Sequence, residues 1–327
     1  MNRAAGYTSN TVPWEILRAA GYVPRLLDAD DGATPHADRF MEPVFDRRIR
    51  ILFDRLCSGA WSELSVVVIS RASEQEHKLY LYLREVARNL AVNSLPELYL
   101  YNLLHTRTPE AYGYGLERTR QMVLDFGVTE SALCAAIKER NQARGAVREI
   151  QGNRDAGMLD GSVAFERIAA FYRENGLVGA DSTEASQRPR ILIKGAPLET
   201  NALHRVMEAA GGYVVAEDDW RGSRAGGDRD VRTDVDPVTA VFEKYFSDEV
   251  GPRVQSAAER DAWIHRKVNS GIVDAVLFYL PLEDDVAGWD YPRQATWLEE
   301  RKVPSMVMRE IAPSVELDAF VCGVAVR

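Results

Sequence analysis

The sequence predicts an α/β protein of two lobes, each an open parallel sheet flanked by helices, joined by a helical segment and with a cleft between them. Three observations carry this. The 327 residues exceed what one hydrophobic core usually serves. Continuous apolar runs such as 65–70 (SVVVIS) and 275–280 (AVLFYL) read as strands covered on both faces. These runs alternate with helical stretches, the pattern of parallel strands joined by crossover helices.

The first lobe is expected over residues 1–180. Asn10 and Thr11 are good helix caps, Pro13 suits a first turn, and Glu15 favours the positive end of the helix dipole. Trp14, Ile16, Leu17 and Ala20 then form an apolar stripe that stops at Gly21. Residues 22–27 read as a short strand and the acidic run behind them (DADDGATPHAD) as a loop. A helix over 43–58 would bury Val44, Ile49, Leu52, Phe53 and Leu56. The strand 65–70, a helix over 75–89, a strand over 97–102 (ELYLYN) and a helix over 111–126 follow. Helical stretches at 129–151 and 162–175 make the connecting segment. Residues 181–189 (DSTEASQRP), small, polar and closed by proline, read as the linker.

The second lobe, 190–327, repeats the plan. Strands are expected at 190–194 (RILIK), 212–216 (GYVVA), 275–280 and 305–308, with helices over 199–210, 238–246, 253–269 and 291–301. Strands and helices in this order describe an open doubly wound sheet.

Composition narrows the function classes. Apolar residues at 46% with 27% charged residues argue for a folded core over disorder. A net charge of −9 disfavours non-specific nucleic-acid binding, which rests on Lys and Arg neutralising phosphates. No run approaches the roughly 18 apolar residues of a membrane span, and the N-terminus lacks the apolar core of a secretory signal. Cys57, Cys134 and Cys322 lie far apart without metal-binding spacing, so a reducing cytoplasm and no metal site are expected.

Ligand sites in open α/β sheets lie beyond the carboxyl ends of the strands. That rule selects residues 70–74 with His77, residues 105–108, residues 195–197, residues 217–224 and residues 281–285. The acidic runs Glu217-Asp218-Asp219 and Glu283-Asp284-Asp285 read as solvated loops, since no His or Cys accompanies them. His77 reads as a helix-surface histidine, with acid–base work as the alternative. No GxGxxG follows a strand, and neither GxxxxGK[ST] nor GxSxG occurs, so ordinary dinucleotide, P-loop and α/β-hydrolase chemistry have no support.

Five segments in order resemble the 2-hydroxyacyl-CoA dehydratase and benzoyl-CoA reductase family. GYTSNTVPWEILRAAGYVPRLL is similar to its Pro-x-Glu helix leading to Ala-Ala-Gly and Pro. VVVISRASEQEHKLYLYLRE resembles its second-strand segment, and VTESALCAAIKERNQARGAVREI its helix with Asn-x-x-Arg. RILIKGAPLE with GGYVVAEDDWRGSR resembles its strand–Gly loop and later Asp-Asp…Gly-x-Arg loop. VDAVLFYLPLEDDVAGWDYPRQATWLEE resembles the segment before its last crossover helix.

The resemblance implies a great deal about chemistry. Family members that carry it out hold a [4Fe–4S] cluster on cysteine thiolates, receive one electron from an ATP-dependent activator, and act on a CoA thioester as paired homologous subunits. One cluster cysteine would fall at Ser73, another at Glu283, and the loop around His105 lacks one as well. The resemblance therefore implies a chain that binds no cluster and pairs with a cluster-bearing relative, with a CoA thioester as ligand. Ser9, Asn10, Arg71, Arg221, Ser223 and Arg224 are the candidate ligand-binding residues, because a helix N-terminus and arginines suit a phosphate. Capping and local ion pairing are the plain alternatives for the same residues. Two rival functions stay open: a non-redox enzyme in which Ser73, Glu74, His77 and Glu283 do acid–base work on a thioester or small acid, and a regulatory or scaffold protein.

Overall fold

Two four-stranded parallel sheets organise the chain, in a computed structural model that describes residues 3–29, 32–89, 95–173, 184–248, 251–282 and 284–324. The first sheet is built from β1 (Arg3–Tyr7), β2 (Tyr22–Leu26), β3 (Leu64–Ser70) and β4 (Glu97–Tyr101), in the order β2-β1-β3-β4. Between and after these strands come α1 (Trp14–Ala19), α2 (Pro35–Phe40), α3 (Arg47–Cys57), α4 (Glu74–Asn89) and α5 (Pro109–Asp125). Helices α6 (Glu130–Asp155) and α7 (Gly161–Arg173) follow. The second sheet has β5 (Arg190–Gly195), β6 (Tyr213–Glu217), β7 (Ala275–Tyr279) and β8 (Ser305–Met308) in the order β6-β5-β7-β8. Its chain segments add α8 (Ala202–Ala209), α9 (Pro237–Glu243), α10 (Ala257–Asn269), α11 (Asp285–Glu300) and α12 (Val315–Gly323).

Burial explains the apolar runs. In β3 consecutive residues face opposite sides of the sheet, and Val66, Val67, Val68 and Ile69 are all sealed. Val67 and Ile69 pack with Leu52 and Leu56 of α3 and with Leu79, Leu83 and Val86 of α4. In the second sheet one face carries Ile191, Ile193, Ala275 and Leu277 against α8 (Leu203, Met207) and α12 (Leu317, Val321). The other carries Leu192, Val276 and Phe278 against α10 (Trp263, Ile264) and α11 (Leu298). Strands sandwiched in this way cannot show a polar–apolar alternation, which is why they read as unbroken apolar runs.

The chain divides into two units that alternate along the sequence. One comprises Met1–Arg144, Tyr172–Asn175 and Gly227–Val254, the other Gly145–Phe171, Gly176–Gly226 and Gln255–Arg327. Helix α6 thus gives its first part to one unit and its second part to the other. Of the expected linker, residues 181–183 lie outside the described residues, and 184–189 form neither helix nor strand.

Four local differences from the sequence reading have physical causes. Strand β1 has only five residues, with Arg at one end and a Gly inside, and carries little pattern of its own; its pairing with β2 and β3 makes it a strand. Within the expected acidic loop, Pro35–Phe40 turn into α2, because the Asp54 carboxylate accepts the His36 and Ala37 backbone N–H groups at 2.6 and 3.2 Å. Helix α1 starts after Pro13 with no side-chain cap from Asn10 or Thr11. Helix α11 begins six residues before the expected position, capped by Asp284, and carries Pro292 inside.

The packing makes one cost calculable. Leu277→Ala opens a cavity on the sealed face of β7 and should lower unfolding free energy by about 2–5 kcal/mol, read as a lower urea midpoint at unchanged m-value.

Candidate functional site

In the first unit the strand order reverses between β1 and β3, since the chain leaves β1 for β2 on one side and returns to β3 on the other. Loops diverge at such a point and leave room beyond the carboxyl ends of the strands. Polar side chains converge there. The Ser9 and Ser70 hydroxyls lie 2.7 Å apart, Thr11 Oγ1 is 3.1 Å from Ser9 Oγ, and Ser70 Oγ donates to Glu76 Oε2 at 2.7 Å. Thr8 and Ser9 reach the same carboxyl oxygen at 3.3 Å. All of these side chains are buried. The peptide ahead of Ser9 is held by Arg48, which donates to the Thr8 carbonyl. Burial pushes the Glu76 carboxyl above its ordinary range, against the pull of Arg48 and of the Ser70 and Ser9 hydroxyls and with Asp46 adding to the rise.

The sequence-derived residues distribute around this cluster in distinct ways. Ser9 is in it. Ser73 stands at the head of α4, where its hydroxyl accepts the Glu76 N–H at 3.1 Å, a capping bond. Glu74 is exposed and pairs with Arg71 at 2.7 Å, and that hydrogen bond holds its carboxyl below the usual range. His77 is half-buried on the same helix. Asn10 is buried in the turn after β1. Glu283 lies outside the described residues. His105, in the loop after β4, has both ring nitrogens sealed from solvent without hydrogen-bond partners, and burial, then Arg107, bring its pKa down to about 4.

The residues behind the turn are tied by two motifs far apart in sequence. Glu15 of the Pro-x-Glu segment meets Arg144 of the Asn-x-x-Arg segment at 2.7 Å, both fully buried. Tyr245 donates to the second Glu15 oxygen at 2.8 Å and accepts the Trp14 N–H at 3.1 Å. Asn141 supports Arg144 at 3.0 Å and holds both backbone groups of Val231, donating at 2.8 Å and accepting at 2.9 Å. The start of α1, and with it the turn carrying Ser9, is therefore set by an ion pair whose carboxylate also accepts from Tyr245. Tyr245 lies in a π-helical turn (Lys244–Asp248), a distortion that often marks functional segments.

In the second unit the strand order reverses between β5 and β7, and Gly195 ends β5 there. Its φ is +141°, and a Cβ would fall 1.9 Å from the Tyr279 carbonyl oxygen, so only glycine fits. The run 217–219 proves to be buried, which corrects its reading as a solvated loop. Each carboxylate has partners brought from elsewhere in the unit. Arg154 binds Glu217 through both oxygens at 2.9 and 2.6 Å, His204 Nε2 lies 3.2 Å from Oε1, and Ser223 bridges Arg154 and Glu217. Burial alone would raise Glu217, but Arg154 and His204 overcome it and hold the carboxyl at about 2. Lys194 and Arg224 both bind Asp218, and Arg224 also reaches Gln255 at 2.8 Å. Asp219 accepts the Leu198 N–H at 2.6 Å and the Arg221 N–H at 3.1 Å; burial raises it to about 7. Arg221 pairs with Glu199 at 3.1 Å. Gly222 is required because a Cβ would overlap the Glu217 side chain at 2.2 Å.

The donor chemistry bears on the iron–sulfur cluster that the resemblance raised. Around the carboxyl end of β3 the side chains are hydroxyls and carboxyls, poor ligands for cluster iron compared with thiolates. Cys57 is buried in α3 with its thiol pushed up to about 12 by burial, then Asp54, the reverse of a thiolate ligand. Cys134 lies in α6 and Cys322 is exposed in α12. This donor set does not fit the cluster. Among the described residues no group of three or more His, Cys, Asp or Glu is placed to hold a metal ion, and no helix is long and apolar enough to cross a membrane.

Compared with known families, the chain matches the family described as 2-hydroxyglutaryl-CoA dehydratase, D-component, over residues 10–309. No match is found among the curated proteins.

Two outcomes follow from the buried charges. Arg154→Met takes the guanidinium from the buried Glu217 carboxylate, leaving it His204 and Ser223, and should destabilise by about 3–5 kcal/mol, with Arg154→Met/Glu217→Gln recovering most of it in chemical denaturation. Glu76→Gln tests the other sign. A raised carboxyl binds its proton more tightly when folded, so it lowers stability as pH climbs above the ordinary 4.5. The melting temperature of Glu76→Gln relative to wild type should therefore rise from pH 4.5 upward and lose that advantage in acid.

Proposed function

The chain belongs to the 2-hydroxyglutaryl-CoA dehydratase D-component family, and from that premise we propose that it is a cluster-free subunit of a 2-hydroxyacyl-CoA dehydratase or benzoyl-CoA reductase-like complex. It pairs with a homologous, cluster-bearing subunit and contributes to binding of the acyl-CoA. It has no independent activity, and redox steps fall to that partner and to an ATP-dependent activator. The complex is cytoplasmic, where Cys57, Cys134 and Cys322 stay reduced.

One observation carries the reading. At the head of α4, where the family resemblance places a cluster cysteine, Ser73 instead spends its hydroxyl on the Glu76 N–H. A serine in that role stabilises a helix end and offers iron no thiolate. The polar turn around Ser9, fixed by Glu15–Arg144, keeps a site for the ligand's polar groups without needing a metal.

A second reading has its own support. Non-redox acid–base chemistry on a thioester is favoured by a buried carboxyl joined to two serine hydroxyls at the strand ends.

Protein prepared without oxygen should contain no stoichiometric iron and show no cluster absorption near ~400 nm, and it should co-purify with a cluster-bearing homologue when the two are expressed together. A monomer that ignores both the homologue and acyl-CoA, or a chain that carries iron alone, overturns the subunit reading.

A further inference from the structure

The two oxygens of Glu76 stand in different surroundings. Oε2 ends a chain of hydroxyls: Ser70 donates to it at 2.7 Å, and the Ser9 hydroxyl lies 2.7 Å from that of Ser70 and 3.1 Å from that of Thr11, contacts in which either oxygen can donate. Thr8 and Ser9 add longer contacts of 3.3 Å to the same atom. Each hydroxyl has one proton to give; with Thr11 donating to Ser9, Ser9 to Ser70, and Ser70 and Thr8 to Oε2, every hydroxyl has an acceptor, and in that arrangement Oε2 accepts. Oε1 takes no hydrogen bond among the described residues and is not one of the polar atoms sealed from solvent without a partner. The residue keeps 7% exposure. A carboxyl built this way has Oε2 occupied by hydroxyls and Oε1 neither hydrogen-bonded among the described residues nor fully sealed.

The charges facing Glu76 are Arg48 on α3 and Asp46 at the head of α3, and neither forms an ion pair with it. With burial on one side and no contact cation, the neutral acid is the favoured form. With Ser70 and Thr8 both donating to Oε2, the proton of the neutral acid sits on Oε1. That is a donor held at the switch point of the sheet, where ligands of this architecture bind.

We propose that Glu76 is an un-ionised carboxylic acid that offers Oε1–H as a hydrogen-bond donor to the carbonyl oxygen of a bound thioester. Ser70, Ser9, Thr8 and Thr11 are positioning residues: they hold Oε2 as the acceptor and leave the proton outward. The donor polarises the carbonyl without transferring the proton, as protonated carboxylic acids in apolar sites are able to do. The identity of the ligand rests on the acyl-CoA reading above; the state of the carboxyl does not.

The test has two arms on the full-length chain. In the infrared difference spectrum of wild type minus Glu76→Gln at neutral pH, the stretching band of an un-ionised carboxylic acid should appear; its absence overturns the proposal whatever the ligand. In the second arm, acetyl-CoA and its carbonyl-free analogue S-ethyl-CoA are titrated by calorimetry. Wild type should bind acetyl-CoA about tenfold more tightly, the worth of one hydrogen bond, and the acid band should shift on adding acetyl-CoA and stay put with S-ethyl-CoA. Glu76→Leu should lose the tenfold preference, while Glu76→Gln, whose amide still donates, should keep much of it. Should Glu76→Leu fail to fold, the two ligands on wild type decide the matter alone. Equal affinity for both, or a band that ignores acetyl-CoA, overturns the donor role. A present band with neither ligand bound overturns the thioester assignment and the acyl-CoA reading together, while the neutral carboxyl stands.

Discussion

Three arginines on one helix set the terms for the rest of this protein. Arg140, Arg144 and Arg154 of α6 are the largest fully buried side chains among the described residues, and a guanidinium cannot shed its charge to ease desolvation. Each site must therefore supply compensation before the helix can form where it does. Arg140 lies over Trp14 at 4.9 Å, Arg144 pairs with Glu15, and Arg154 binds Glu217 through both oxygens. The partners are not incidental residues. Glu15 opens α1 directly behind the Ser9 turn, and Glu217 ends β6 directly before the loop carrying Arg221 and Arg224.

Those ion pairs explain why strongly polar loops at the strand ends keep defined shapes. Asp218 is held by Lys194 and Arg224, and Asp219 by two backbone N–H groups, so the whole acidic run is structural within the second unit. Candidate ligand residues Arg221, Ser223 and Arg224 are already engaged with Glu199, Glu217 and Asp218. An anion arriving there competes with carboxylates that are buried and well bonded. The Ser9–Ser70–Glu76 cluster differs, since the partners of its carboxyl are hydroxyls and not cations. That contrast is why the first unit carries the functional argument.

The strands and most helices were legible because burial on both faces leaves a continuous apolar signal, and β3 and β7 show it plainly. Site residues were legible only to the level of the loop. Attention fell on Ser73, Glu74 and His77, whereas the converging side chain is Glu76. The cause is helical phase: about 100° of rotation separates neighbours, so Glu74 faces solvent with Arg71 and Glu76 turns inward to Ser70. No spacing rule marks which of two glutamates, two residues apart, is buried. Ser70 reads as the end of an apolar run and the start of a strand-end loop, and its hydroxyl matters only once β1 brings Ser9 beside it.

Sequence alone determined the α/β class, the alternation of strands and helices, the family to which the chain belongs, and the absence of cysteines from the loops after β3 and β4. These are properties of local pattern and of residue identity. Tertiary structure decided the strand orders with their two reversal points, the interleaving of the chain between units, and the pairing of Glu15 with Arg144 and of Glu217 with Arg154. The reason is physical. A carboxylate in a polar run looks solvated until a cation more than sixty residues away in the sequence, as Arg154 is from Glu217, is folded against it; the chain's pattern encodes burial of apolar faces, whereas the partner of a buried charge is encoded only in the folded whole.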